Sequence, residues 1–129
     1  MIVEDNAADV FLIRAALKAA KIDMDLHVVK DGEDAIRFID QVDADRQSLP
    51  ADLVLLDINL PRKQGGEVLE HIRKSHRSAN ARVIAVSTSD SAKDRADMSR
   101  LGADGYFHKP SRYEDFMKLS GLITQILGK

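Results

Sequence analysis

The chain has 129 residues, of which 31% are charged and 44% hydrophobic, with a net charge of −2 and no cysteine. This fits one soluble globular domain and excludes a disordered chain, a disulfide scaffold and thiol chemistry. The slight negative charge without a Lys/Arg cluster speaks against direct nucleic-acid binding, and no apolar run reaches the ~20 residues of a membrane span, so a cytoplasmic protein is expected.

In chain order, runs rich in Val, Ile and Leu alternate with segments of helical period, which predicts an α/β fold. "MIVED" opens as a short strand, and Asn6 is placed to cap a helix with Val10, Ile13, Leu17 and Ala20 on one face. "LHVVK" is the second strand; Asp31 and Gly32 then start a helix carrying Ala35, Ile36 and Ile39 inward. A polar connection leads to "DLVLLD", whose unbroken aliphatic run reads as a strand buried on both faces and ending at Asp57. The loop "INLPRKQGG" precedes a helix with Val68, Leu69 and Ile72 inward, and "RVIAVS" is the fourth strand. Asp90 is expected to cap the next helix, which has only Ala92, Ala96 and Leu101 to bury and so should be the loosest element. "DGYFH" is the fifth strand, and a final helix follows Lys109-Pro110 and ends near Leu127. The expected architecture is a doubly wound, five-stranded parallel sheet with helices on both faces.

Parallel strands all end at one edge, so Glu4 and Asp5, Asp57, Ser87 or Thr88, and Lys109 should converge there. Carboxylates forced together repel, and Mg²⁺, a hard cation with oxygen ligands that keeps some waters, suits such an open acidic pocket. With the cation on one side and Lys109 on the other, Asp57 is placed to attack a phosphoryl group and hold it as an acyl phosphate. Alternation along the fourth strand sends only one hydroxyl inward, and Ser87 is the choice. His27, His71, His76 and His108 form no ligand pair and are expected to be structural or exposed.

"VEDN", "LLDINLPRKQG", "VIAVSTS" and "HKP", each at a strand's end and in this order, resemble the receiver domain of bacterial two-component response regulators, with its flavodoxin-like fold. The resemblance covers nearly the whole chain. It implies Mg²⁺ bound by Glu4, Asp5, Asp57 and the backbone carbonyl of Asn59, with Asp57 as phospho-acceptor. It implies Lys109 as partner of the phosphoryl oxygen, Ser87 as the switch hydroxyl and Tyr106 as the aromatic whose rotamer reports activation. Pro61, Gly65 and Pro110 match loop-shaping positions, the last often following a cis bond. "VEDN-x-AD", "VVKDGEDA" and the long connection before the acceptor strand are closer still to the stand-alone regulators that partner phytochrome-type histidine kinases. Two departures are a shorter first strand, which points to a trimmed start, and Ser in place of the commoner Thr at Ser87, which removes a methyl that restricts the rotamer.

The expectation is therefore a single receiver domain over residues 1–129 without an output domain. It takes a phosphoryl group from a sensor histidine kinase, signals to a downstream protein partner, and is not a turnover enzyme. A wide apolar stripe on the last helix, Phe116, Leu119, Ile123, Ile126 and Leu127 widened by Leu122 and Tyr113, points to a homodimer or partner contact through that helix and the fifth strand. Three rivals fit less well. A haloacid-dehalogenase-type phosphohydrolase needs a second aspartate where Asn59 stands, and a phosphorylation-independent scaffold should have lost one of Glu4, Asp5, Asp57 and Lys109. A nucleotide-binding flavodoxin-like domain wants glycine in the first turn, where "VEDNAAD" has acids.

Overall fold

Residues 1–22, 24–60 and 64–128 are described in a computed structural model of the chain. Strands β1 (Ile2–Val3), β2 (Val28–Val29), β3 (Leu53–Asp57), β4 (Arg82–Ser87) and β5 (Gly105–His108) form one parallel sheet in the order β2-β1-β3-β4-β5. Between and after them run helices α1 (Ala7–Ala19), α2 (Gly32–Ala44), α3 (Gly65–Lys74), α4 (Ala92–Arg100), α5 (Tyr113–Phe116) and α6 (Lys118–Leu127). This is the doubly wound architecture expected. Among the described residues no helix is long and apolar enough to cross a membrane.

The central strands bury both faces. Val54 and Leu56 of β3 and Val83 and Ala85 of β4 pack with Ala35 and Ile39 of α2 and Val68, Leu69 and Ile72 of α3. Leu53, Leu55, Ile84 and Val86 face the other layer, with Ile13, Ala16 and Leu17 of α1 and Phe116, Leu119 and Ile123 of α5 and α6. That two-sided burial is why "DLVLLD" shows no polar alternation before its final carboxylate. The chain steps from β1 outward to β2 and then crosses back to β3, so the loops leaving β1 and β3 part in opposite directions and open a crevice at their carboxyl ends.

Helices α1, α2 and α4 start at side-chain caps. Asn6 Oδ1 accepts the Asp9 N–H at 3.1 Å, and Asp31 Oδ1 accepts the Asp34 N–H at 2.9 Å. The cap of α4 is Ser91, not Asp90: Ser91 Oγ accepts the Asp94 N–H at 2.9 Å, while Asp90 pairs with Arg95 at 2.7 Å. The inward face of α4 also differs from the expected one, since Met98 is buried, Leu101 is half-buried, and Ala92 and Ala96 are exposed. Alanine counts as apolar in a pattern but offers too little area to orient a helix, whereas the long methionine reaches the core. The final helix is divided at Met117 into α5 and α6. Its wide stripe packs against α1 and the sheet, with Leu122 and Ile126 over β5: a Cβ on Gly105 would meet Ile126 Cδ1 at 2.5 Å and Leu122 Cδ1 at 3.6 Å, and of the stripe only Tyr113 is exposed.

Candidate functional site

β1 runs directly into Glu4, which is 1% exposed, and then into exposed Asp5, while the neighbouring β3 ends on buried Asp57. One carboxylate oxygen from each of these three lies within 4.8 Å of the others. Asp57 Oδ1 accepts the Asn59 N–H at 3.0 Å, which fixes the carboxylate's rotation, and Glu4 Oε2 accepts the Asn6 N–H at 3.3 Å. Lys109 enters from the end of β5, where its backbone N–H donates to the Ser87 carbonyl at 2.7 Å. Its ammonium donates to Glu4 Oε1 at 2.7 Å and Asp9 Oδ2 at 2.8 Å, and stands 3.4 Å from Asp57 Oδ2. Asp9 is the one member of this cluster that sequence reasoning missed. Its place in the first turn of α1, directly above the end of β1, was the available signal.

The electrostatics follow from crowding acids beside a single cation. Burial pushes the Glu4 carboxyl up, the Lys109 hydrogen bond opposes this, and Asp57 adds to it, leaving Glu4 at about 7. Burial pulls Lys109 down, but its bonds to Asp9 and Glu4 and the charge of Asp57 outweigh that, so it is held above its ordinary value and charged at neutral pH. Three hard oxygen donors converge from a rigid sheet, and exposed Asp5 leaves one side open to solvent. That donor set fits an octahedral oxygen-ligand cation such as Mg²⁺ retaining several waters.

Of the remaining predicted residues, Ser87, Tyr106 and Gly65 lie on β4, β5 and the start of α3. Ser87 is fully buried and Thr88 exposed, and Ser87 Oγ accepts the Ser89 N–H at 3.0 Å. The Ser89 carbonyl accepts from the Tyr106 hydroxyl at 2.8 Å, and the Arg95 guanidinium lies 4.6 Å from the Tyr106 ring centroid. Ser89 Oγ donates to Asp94 of α4. Gly65 approaches the end of β3 so closely that a Cβ would lie 2.5 Å from Ile58 Cα and 2.7 Å from the Asp57 carbonyl oxygen. Its N–H donates to the Ile58 carbonyl at 3.0 Å. Asn59 is exposed beside Asp57. Among the described residues there is no cis peptide, so Lys109 and Pro110 are joined in trans, unlike the bond often found at that position. Pro61 lies outside the described residues. The histidines stand apart from the cluster: His27 stacks on Phe38, His71 pairs with Asp40, His108 bonds the Thr88 carbonyl, and His76 is exposed.

A five-stranded parallel α/β sheet with a buried aspartate beside two further carboxylates and a lysine defines the class: a flavodoxin-like domain with its site at the sheet's switch point. The family model described as "Response regulator receiver domain" matches residues 1–120, and the chain belongs to that family. It is similar to Response regulator Rcp1 of Synechocystis sp., with 33% identity over 119 residues, covering 92% of this chain and 81% of that protein. The Mn²⁺-bound form of Rcp1 matches with a TM-score of 0.83 at 32% identity, covering 96% of this chain and 89% of that one. The phosphorylated cyanobacterial phytochrome response regulator RcpA matches with a TM-score of 0.83 at 31% identity and the same coverage. The likeness thus includes the phytochrome-associated regulators that the opening residues resemble.

Proposed function

We propose that this receiver domain is a phosphorylation-activated switch that takes a phosphoryl group from a histidine kinase onto Asp57 and signals by protein contact. The single observation that carries this reading is the meeting of Glu4, Asp5 and Asp57 within 4.8 Å, with the Lys109 ammonium 3.4 Å from Asp57 Oδ2. A Mn²⁺-bound and a phosphorylated relative support it. The partner kinase is expected to be of the phytochrome type.

Glu4, Asp5, Asp57 and the Asn59 carbonyl would hold Mg²⁺, which when bound neutralises charge on the phosphoryl oxygens. The Asn59 N–H holds Asp57 so that its free oxygen attacks phosphorus. A P–O bond forms, the P–N bond to the kinase imidazole breaks, and the imidazole keeps the electron pair and takes up a proton. Lys109 supplies positive charge to the transferring oxygens. Ser87 turns its hydroxyl toward the new phosphoryl group and releases the Ser89 N–H it now accepts. Because Ser89 also holds the Tyr106 hydroxyl and Asp94, that release reaches β5 and α4 together. α4 keeps only Met98 fully buried, so it is the element most easily shifted, and the face it shares with β5 and the last helix is where a downstream partner or second copy would read the change. The domain then catalyses only its own phosphorylation and slow hydrolysis.

Incubation with acetyl phosphate and Mg²⁺ should add one phosphoryl mass to the intact protein and none to Asp57→Asn. Equal labelling of the variant would refute Asp57 as the acceptor.

A further inference from the structure

We infer that Asp9 is a positioning residue for phosphoryl transfer: its carboxylate holds the Lys109 ammonium off Asp57, keeping the acceptor oxygen open and one N–H facing the incoming phosphoryl oxygen. This rests on the reading of Asp57 as the acceptor. An ammonium has three donors. Two make short charge-assisted bonds, to Glu4 at 2.7 Å and Asp9 at 2.8 Å, and the third faces Asp57 Oδ2 across 3.4 Å. That gap exceeds the roughly 2.7–3.2 Å of a good N–H···O bond, so the third donor is aimed but not committed.

A bland role for Asp9 would be an acid in a first helical turn, favoured by the helix dipole. The geometry goes further. The Asp9 N–H is already capped by Asn6, and its side chain, only 23% exposed, reaches a lysine 100 positions away in the chain. Lys109 is itself anchored by its N–H on the Ser87 carbonyl, so Asp9 and Glu4 fix the far end of a side chain whose near end is tied to β4. With Asp9 neutralised, the strongest acceptor left beside Glu4 is Asp57. The ammonium would close on it and form a tight ion pair that must part before attack on phosphorus. Asparagine keeps the shape of Asp9 but loses the charge that roughly doubles the strength of such a bond.

The test compares wild type, Asp9→Asn and Asp9→Glu in two measurements. One is the rate of acetyl phosphate labelling at saturating Mg²⁺; the other is the Lys109 ammonium signal in ¹H–¹⁵N spectra of the metal-free protein. Asp9→Asn should label about tenfold more slowly, as expected for a misplaced charge at a reacting centre, with its ammonium signal shifted or broadened away. Asp9→Glu should recover most of the rate and keep the signal. Labelling of Asp9→Asn at or above the wild-type rate, or an ammonium signal unchanged by that substitution, would overturn the inference while leaving Asp57 as the acceptor. Failure of the wild type itself to label would instead remove the acceptor reading, and this inference with it.

Discussion

The two ends of the sheet each carry a cation among acceptors, and they use it in opposite ways. At the amino ends of β4 and β5, the Arg73 guanidinium uses all five of its N–H donors. It bonds the Gly102 carbonyl twice, at 3.1 and 2.7 Å, the Ala79 and Ala81 carbonyls at 2.9 and 2.6 Å, and Asp104 at 3.0 Å. Asp104 in turn accepts the Val83 N–H at 2.8 Å. Gly102 closes the arrangement, since its φ of +104° disfavours any side chain and a Cβ there would lie 3.0 Å from Arg73 Nε. At the carboxyl ends, Lys109 faces more carboxylates than it can neutralise and stands off one of them. A saturated cation staples loops together, whereas an undersupplied one leaves negative charge that a metal ion or a phosphoryl group can change. Burial of charge alone does not separate structural from functional; the state of its partners does.

The largest difference should come from breaking the saturated end. Arg73→Ala strands three carbonyls and takes one cation from Asp104, and urea denaturation should show a loss of about 3 kcal/mol, the same in EDTA and in Mg²⁺. A loss that depends on Mg²⁺ would mean the two ends are coupled. Gly65→Ala comes next: its Cβ would press on the backbone of Ile58 and Asp57, costing about 2 kcal/mol and slowing acetyl phosphate labelling in the protein that still folds. Wild-type stability and labelling in this variant would show that the acceptor loop tolerates movement.

A smaller effect is a pH slope. Glu4 is raised by burial, against Lys109 and with Asp57, from 4.5 to about 7 in the folded chain. Between those values the unfolded chain has released its proton while the folded chain retains it. The contribution is therefore fully present below pH 4.5 and is lost as pH rises through about 7. Metal-free stability should fall across this window relative to Glu4→Gln, by no more than about 1.4 kcal/mol per pH unit. Parallel profiles for the two proteins would place Glu4 at an ordinary value. Removing Arg73 should leave the slope in place.

The contrast between the ends also marks what the sequence made legible. The alternation of strands and helices and the carboxylate edge follow from aliphatic runs, two of which lead into acids, and from Asn6 and Asp31 at helix starts, all local signals. Glu4, Asp5, Asp57 and Lys109 could be gathered on paper because parallel strands share one exit. The Arg73 clamp could not, since its partners Gly102 and Asp104 lie 29 and 31 positions away and a basic residue in a last helical turn has a sufficient local reason. Asp9 was hidden by the same kind of sufficiency, as an acid in a first turn. Ser91 took the cap from Asp90 because Arg95 offered that aspartate a competing partner.

The claim that the carboxyl end stores unrelieved negative charge is tested most directly by urea denaturation of wild type and Asp57→Asn, in EDTA and in millimolar Mg²⁺. The asparagine retains an oxygen for the Asn59 N–H and removes one charge facing Glu4 and Asp5. Two carboxylates a few ångströms apart at an effective dielectric near 20 repel by roughly 1–3 kcal/mol, and Lys109 relieves part of this. The variant should therefore be more stable than wild type in EDTA by on the order of 1 kcal/mol, and Mg²⁺ should shrink or reverse the difference by binding the folded wild type. A variant less stable in EDTA, with a gap that Mg²⁺ leaves unchanged, would make Asp57 a structural cap and contradict the account.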